Sequence, residues 1–176
     1  MRKFHDRLDR ADRCITGWLA THGLGVLRTS VGIVFFWFGV LKFFPNLSPA
    51  EDLAARTIGS LSFGLIAPAI SVPVLAAWEC AIGLGLITSV CLRCTLVMMF
   101  VHMTATVTPL FLFPHETWAQ FPYAATLEGQ YIIKNLVLVS AGLVIYAAVR
   151  TEPVLEEHPL AGRRLVTGIA PESGAF

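Results

Sequence analysis

Apolar residues fill four long stretches of this chain, separated by shorter segments and flanked by two charged tails. The stretches are residues 24–41, 73–92, 95–113 and 127–149. An α-helix needs roughly 20 predominantly apolar residues to cross the hydrocarbon core of a bilayer, and each stretch is close to that length. The pattern therefore predicts four transmembrane helices, which we call the first to fourth apolar segments.

The segment between the first two stretches, residues 49–67, has a different pattern. Its charged residues Glu51, Asp52 and Arg56 come early and its apolar residues come later, before Pro68 and Pro73. Such a mixed segment is typical of an amphipathic helix that lies on a membrane face. We predict an all-α membrane protein, a four-transmembrane-helix bundle with an amphipathic interfacial helix between helices one and two.

Composition supports the membrane class and excludes several others. Of 176 residues, 55% are hydrophobic and only 14% are charged, with a mean hydropathy of +0.67, which is too apolar for a soluble domain of this size. The net charge is only +1, and the cations of the amino-terminal tail alternate with aspartates, so no nucleic-acid partner is expected. The chain also lacks a glycine-rich phosphate loop and the HExxH spacing of a metal site, and we predict no metal.

The distribution of Lys and Arg predicts the orientation, because short basic loops stay cytoplasmic. Basic residues concentrate in the two tails and in the connection between the second and third segments. These residues are Arg2, Lys3, Arg7, Arg10, Arg13, Arg93, Arg150, Arg163 and Arg164. We expect a cytoplasmic basic tail at 1–23, a membrane domain at 24–149 and a cytoplasmic tail at 150–176. The chain would then be a multi-pass protein of the bacterial inner (plasma) membrane with both termini cytoplasmic and the loop after Pro114 outside.

Six polar residues in or beside the apolar segments are the candidate binding site. Charged groups at membrane depth are costly, so they are usually paired or functional. The candidates are Lys42, Glu79, His102, Tyr131, Lys134 and Asn135. Their helical spacing predicts that they face the interior and form a polar chamber that opens outward.

Within that chamber, Glu79 and Lys134 are the predicted charge partners. Glu79 lies six residues after Pro73 and Lys134 seven residues after Leu127, so both should lie about 10 Å below the outer surface. A purely structural account is equally favoured: the pair, closed by His102 and the nearby threonine hydroxyls, would hold the helices in register without a ligand. The functional account adds a ligand. Two lysines and one glutamate give a local charge near +1, which suits a small anion or the carbonyl oxygens of a quinone.

Cys91 and Cys94 form the second candidate site. Two cysteines at CxxC spacing around Arg93 are the arrangement of a redox pair, since a nearby cation favours the thiolate. The predicted orientation places them on the reducing cytoplasmic side, where a stable disulfide is not expected and a structural role is favoured.

The elements WFGVLKF, WECAIGLGLI and EGQYIIKNLVLVSAGLVI are similar to sequences of the DoxX/DoxD-like superfamily of small four-helix membrane proteins, especially its YkgB-like branch. The resemblance covers about residues 27–148. It implies an association with sulfur and quinone redox chemistry or oxidative stress. It also maps Lys42, Glu79 and the pair Lys134–Asn135 onto the family's motifs, without a catalytic role for any of them.

From these observations we expect an inner-membrane redox accessory protein that holds a quinone or a small oxidised-sulfur anion beside a redox partner subunit. A quinone is the only cofactor considered, and whether the chain is itself an enzyme stays open, as does homo-oligomer formation. Two alternatives remain: a small solute or ion transporter using the same polar residues, and a purely structural membrane subunit of a larger complex.

Overall fold

A computed structural model of the protein describes residues 2–44, 47–48 and 51–156. Four helices in this part of the chain are long and apolar enough to cross a membrane, which confirms the prediction at that level. The elements are α1 (Arg2–Leu41), α2 (Glu51–Leu61), α3 (Pro68–Thr88), α4 (Leu92–Val107), α5 (Pro109–Leu112), α6 (Pro114–Thr117), β1 (Trp118–Gln120), β2 (Ala124–Ala125) and α7 (Leu127–Glu156). Most of the predicted carboxy-terminal tail, including Arg163 and Arg164, lies outside the described residues.

The four long helices pack in a circuit in which each contacts two others most extensively. Helix α1 packs most extensively on α3, α3 contacts α4, α4 contacts α7, and α7 returns to α1. The side chains at the centre are apolar. They are Val31, Phe35, Ile82, Leu86, Leu96, Met99, Met103, Ala141 and Ile145. All of them come from these four helices, so burial of one common core joins α1, α3, α4 and α7.

Glycines bring α1 and α3 into close contact. A Cβ atom built on Gly83 of α3 would lie 2.5 Å from the backbone nitrogen of Phe36 and 2.7 Å from the carbonyl oxygen of Gly32, both in α1. A Cβ on Gly39 would meet the backbone of Cys80 at 2.8 Å. Small residues at such contacts let helix backbones approach and gain van der Waals packing where the hydrophobic effect is weak. The contacts also show that α1 and α3 run antiparallel.

Helices α1 and α3 begin earlier than predicted, whereas α7 begins at Leu127 as predicted. Helix α1 begins at Arg2 rather than at residue 24, so the described part of the predicted tail 1–23 is helical and continuous with the first apolar segment. Helix α3 begins at Pro68 rather than Pro73. Proline is favoured in the first turn of a helix because its missing N–H would have no partner there, whereas Pro73 removes only one hydrogen bond from the helix. The apolar pattern alone predicts the boundary at the second proline.

One end of the long helices carries α2, α5, α6 and the β1–β2 hairpin, and we call it the capped end. Thr117 is fully buried there, and a Cβ on Gly129 of α7 would collide with the Thr117 carbonyl oxygen, so the end of α6 lies directly on the start of α7. At the opposite end, Ser89 and Cys91 adopt left-handed backbone conformations, with φ of 62° and 45°, in the tight turn between α3 and α4.

An ion-pair cluster that the sequence analysis did not predict ties α2 to α6 at the capped end. Arg56 donates two hydrogen bonds to the Glu116 carboxylate, at 2.6 and 2.5 Å, and its Nε lies 3.0 Å from Asp52. Its guanidinium also lies over the ring of Phe113, 5.3 Å from the centroid. The hydrogen bond to Arg56 lowers the pKa of the Glu116 carboxyl, and the same bond raises the pKa of Arg56. Both side chains are partly exposed, so this contact fixes geometry more than it adds stability.

The Arg56–Glu116 contact predicts a specific loss of stability in acid. The folded-state pKa of Glu116 lies below its ordinary value of 4.5, so the contact stabilises the fold above that pH, and the contribution is lost as the pH falls through the lowered value. We expect the melting temperature of the wild type to fall more steeply below pH 4.5 than that of Glu116→Gln. Glu128→Gln, which changes an exposed carboxylate at the same end, is the control and should follow the wild type. Parallel curves for all three proteins would contradict the prediction.

Candidate functional site

Three side chains, one from α3, one from α4 and one from the residue that follows α1, meet between these helices. The ammonium nitrogen of Lys42 lies 2.6 Å from Oε2 of Glu79, and Nε2 of His102 lies 3.2 Å from Oε1 of the same carboxylate. Glu79 thus contacts a cation on one oxygen and an imidazole on the other. We call these three residues the Glu79 cluster.

The Glu79 cluster is buried, and two of its three residues lie at the middle of candidate membrane spans. The side chains of Lys42, Glu79 and His102 are only 10%, 9% and 5% exposed. In the candidate span Ala69–Thr88, Glu79 lies ten residues after the first and nine before the last. In the span Leu92–Leu112, His102 is ten residues from either end. Both groups would lie near the centre of the hydrocarbon layer, where unpaired charge is most costly.

Local structure explains how the three side chains meet. Lys42 directly follows the last residue of α1, and its long apolar stem lets the ammonium group lie well away from its backbone. Glu79 adjoins Cys80, whose backbone the Gly39 contact brings against α1. The ring of Phe35 packs edge-on against His102, with centroids 5.8 Å apart, and limits the orientations of the imidazole.

The predicted pairing of Glu79 with Lys134 is wrong. Because α3 begins at Pro68, Glu79 lies eleven residues into its helix, about 16 Å along the axis, whereas Lys134 lies seven residues into α7, about 10 Å along. The two groups are not at matching depths. Lys134 is exposed, and its ammonium lies 5.5 Å from the centroid of the Tyr131 ring on the same helix.

The structure therefore divides the six predicted residues into two groups. Lys42, Glu79 and His102 come together, while Tyr131 and Lys134 are exposed on α7 and Asn135 is half-buried there. The threonine hydroxyls expected to complete the site do not do so. Those of Thr104, Thr106 and Thr108 donate to backbone carbonyls of their own helix. None of the predicted polar residues of α7 belongs to the Glu79 cluster.

The cysteines of the second candidate site lie at the end opposite the cap. Cys91 and Cys94 are both exposed and both free thiols, one in the left-handed turn and the other in the first turn of α4. Among the described residues, no group of three or more His, Cys, Asp or Glu side chains could hold a metal ion.

The charge balance of the Glu79 cluster differs from that of the predicted chamber. With Lys134 outside, one lysine faces one glutamate, and the formal charge is zero when His102 is neutral. Throughout the described residues, every buried side-chain nitrogen and oxygen has a hydrogen-bond partner. An ammonium group has three N–H donors, and within the described part of the chain Lys42 donates to Glu79 alone, so donors remain for a second acceptor. The arrangement can bind a neutral acceptor and can exchange protons between an imidazole and a carboxylate.

No protein-family model, curated protein or solved structure matches this chain. The functional argument therefore rests on the geometry of the Glu79 cluster and on the sequence patterns given above.

Proposed function

We propose that this chain is a DoxX-like redox accessory protein of the bacterial inner membrane that binds a quinone head group at the Glu79 cluster. The observation that carries the proposal is a buried glutamate that contacts a lysine and a histidine, with Glu79 and His102 each at the midpoint of a candidate span. A quinone is itself dissolved in the hydrocarbon layer, so it reaches this depth without leaving the membrane. The proposal includes a four-transmembrane-helix bundle, with α2 lying at the outer interface and both termini cytoplasmic.

Charge favours the quinone over the small oxidised-sulfur anion. The sequence-based case for an anion depended on an excess positive charge from Lys42 and Lys134. Lys134 is exposed on α7, and the remaining lysine already has Glu79 as its counter-ion. An anion brought to a neutral, buried site would lose its hydration without gaining a compensating charge. A neutral carbonyl oxygen needs only a hydrogen-bond donor.

The chemistry of the cluster also fits a quinone. Quinone reduction takes up two electrons and two protons, and the described residues offer Lys42 as a donor to one carbonyl oxygen and His102 as a group able to transfer a proton. Glu79 would hold both in position. The electrons would come from a redox partner subunit, which is why we propose an accessory role rather than a complete enzyme.

Ligand-dependent stabilisation tests this function. A short-chain quinone analogue should raise the melting temperature of the purified protein in mild detergent, whereas thiosulfate should not. Lys42→Met should abolish the shift because it removes the donor to the carbonyl oxygen, and Lys42→Arg should restore part of it. Lys134→Met is the matched control and should keep the full shift.

A shift that survives Lys42→Met, or one that is lost in Lys134→Met, would contradict the proposed site. Stabilisation by thiosulfate alone would instead favour the anion. The Lys42→Arg variant guards against a trivial result, because it retains the positive charge beside Glu79 and so should keep the fold.

A proton-coupled transporter is the second candidate, favoured by the depth of the Glu79 cluster at the middle of the spans. An ion pair at that depth is also typical of proton relays in transporters. Reconstituted vesicles that show proton-coupled solute flux, abolished by Glu79→Gln, would support transport. If quinone does not raise the melting temperature and the vesicles show no solute flux, the structural role of the cluster is favoured.

A further inference from the structure

The first half of α1 extends beyond the end of α3. Gly32 lies against Ile87, one residue before α3 ends at Thr88, so residues of α1 that precede about position 28 lie past the end of α3. Every side chain from Ala11 to His22 is exposed. We call residues 2–22 the amino-terminal arm; at about 1.5 Å per residue it is about 32 Å long.

The arm has an apolar face that no other element of the described chain covers; within the arm, the ring of His22 stacks on Trp18. Ile15, Trp18 and Leu19 are 59%, 52% and 50% exposed. At about 100° per residue they fall within a sector of about 100° on the helix, whereas Arg13 and Ala20 fall on the opposite side. In the sequence, apolar residues recur at positions 4, 8, 11, 15, 18 and 19. The arm is therefore an amphipathic helix attached to the end of a membrane span.

The charge of the arm is complementary to an anionic surface. Its charged residues carry a net charge of +2, from five basic and three acidic side chains. These are Arg2, Lys3, Arg7, Arg10 and Arg13 against Asp6, Asp9 and Asp12. A helix with Lys and Arg on its polar face and Trp, Phe and Leu on its apolar face is typical of segments that lie in the interface of an anionic bilayer.

Helix α1 has a place to bend where the arm meets the span. A Cβ atom on Gly23 or on Gly25 would meet nothing within 4 Å, so neither glycine packs against another helix. Glycine in a helix interior costs about 1 kcal/mol relative to alanine, which makes the two positions the weak point of α1. A bend here would bring the arm from the axis of the span onto the plane of the bilayer surface.

From these observations we propose that the amino-terminal arm is a lipid-binding helix whose face of Ile15, Trp18 and Leu19 enters the interface of the anionic leaflet next to it. A second copy of the chain fits this face less well. The heptad positions that would form a two-helix contact include Ala11, His22 and Gly25, whereas a parallel coiled coil prefers large aliphatic residues there.

Site-directed spin labelling of the full chain tests the proposal. Single labels are attached at Ile15→Cys and Leu19→Cys on the apolar face and at Arg13→Cys and Ala20→Cys on the opposite face, in a protein whose four native cysteines are replaced. The protein is reconstituted into vesicles made of equal parts of phosphatidylcholine and phosphatidylglycerol. Collision rates with oxygen, which partitions into lipid, and with a water-soluble nickel chelate then report the surroundings of each label.

We expect the ratio of oxygen to nickel collisions to be several-fold higher at Ile15→Cys and Leu19→Cys than at Arg13→Cys and Ala20→Cys. A label at Val101→Cys, an exposed position in the middle of the α4 span, gives the reference value for lipid. Equal, water-like ratios at all four arm positions would overturn the proposal. Spin–spin broadening at Ile15→Cys that disappears on dilution with unlabelled protein would also overturn it, because a second copy would then cover the face.

Discussion

Removing either Lys42 or Glu79 alone is expected to lower the free energy of unfolding by about 3–5 kcal/mol, because each single change leaves a buried charge without its partner. Replacing both together, with Lys42→Met and Glu79→Leu, is expected to be close to neutral, since the double variant removes the desolvation cost along with the attraction. The measurement is a double-mutant cycle of unfolding in mixed micelles. The loss in the double variant should be far smaller than the sum of the two single losses.

Lys134→Met is the matched control for this cycle. It removes a lysine from the α7 span, but one that is exposed and, among the described residues, lies over the ring of Tyr131 on the same helix. Its effect should stay within about 0.5 kcal/mol, as for other surface substitutions. If the losses at Lys42 and Glu79 simply add, the two side chains do not interact in the folded protein, and the Glu79 cluster would not exist as described.

Gly83→Ala is expected to destabilise the protein by about 1–3 kcal/mol, the usual cost of adding atoms to a well-packed contact. The added methyl group would lie 2.5 Å from the backbone nitrogen of Phe36, and a backbone atom cannot move aside as the end of a side chain can. The two helices would have to separate, which would also draw Lys42 away from Glu79.

The same substitution at Gly25 provides the control for Gly83→Ala. A Cβ atom there meets nothing within 4 Å, so Gly25→Ala should leave stability unchanged or raise it by up to about 1 kcal/mol through helix propensity. Thermal unfolding of both variants in the same detergent is sufficient for the comparison. A stable Gly83→Ala protein with the melting temperature of the wild type would show that α1 and α3 do not approach as closely as described.

The lengths of the apolar stretches predicted the four long helices well, because a run of roughly 20 apolar residues is typical of a helix that crosses a membrane. Their starts were predicted less well. Pro68 and Pro73 both satisfy the rules for a helix start, and only packing against α1 decides between them. The five-residue difference changed the inferred depth of Glu79 and so produced the wrong partner, Lys134.

Two contacts could have been inferred from the sequence by a different argument. Arg56 is the only basic residue between positions 43 and 92, and Glu116 is the only acidic residue between positions 114 and 126. Two isolated opposite charges at the same membrane face are natural partners. For Lys42, the useful signal was its flexible stem at the end of a helix, which allows its charge to lie deeper than its backbone. Its position at the end of the first apolar segment instead predicted an ammonium group close to the membrane surface.

The order of the three cluster residues along the chain bears on how the protein is made. Lys42, Glu79 and His102 all precede α7, so the carboxylate can meet its cation as soon as α3 has entered the bilayer beside α1. Synthesis proceeds from the amino terminus at about 5–20 residues per second, which leaves seconds before the last helix emerges. Glu79 can therefore pair with Lys42 before α7 is synthesised and is not left in lipid as an isolated charge. A nascent chain that ends before α7 already contains every residue of the cluster.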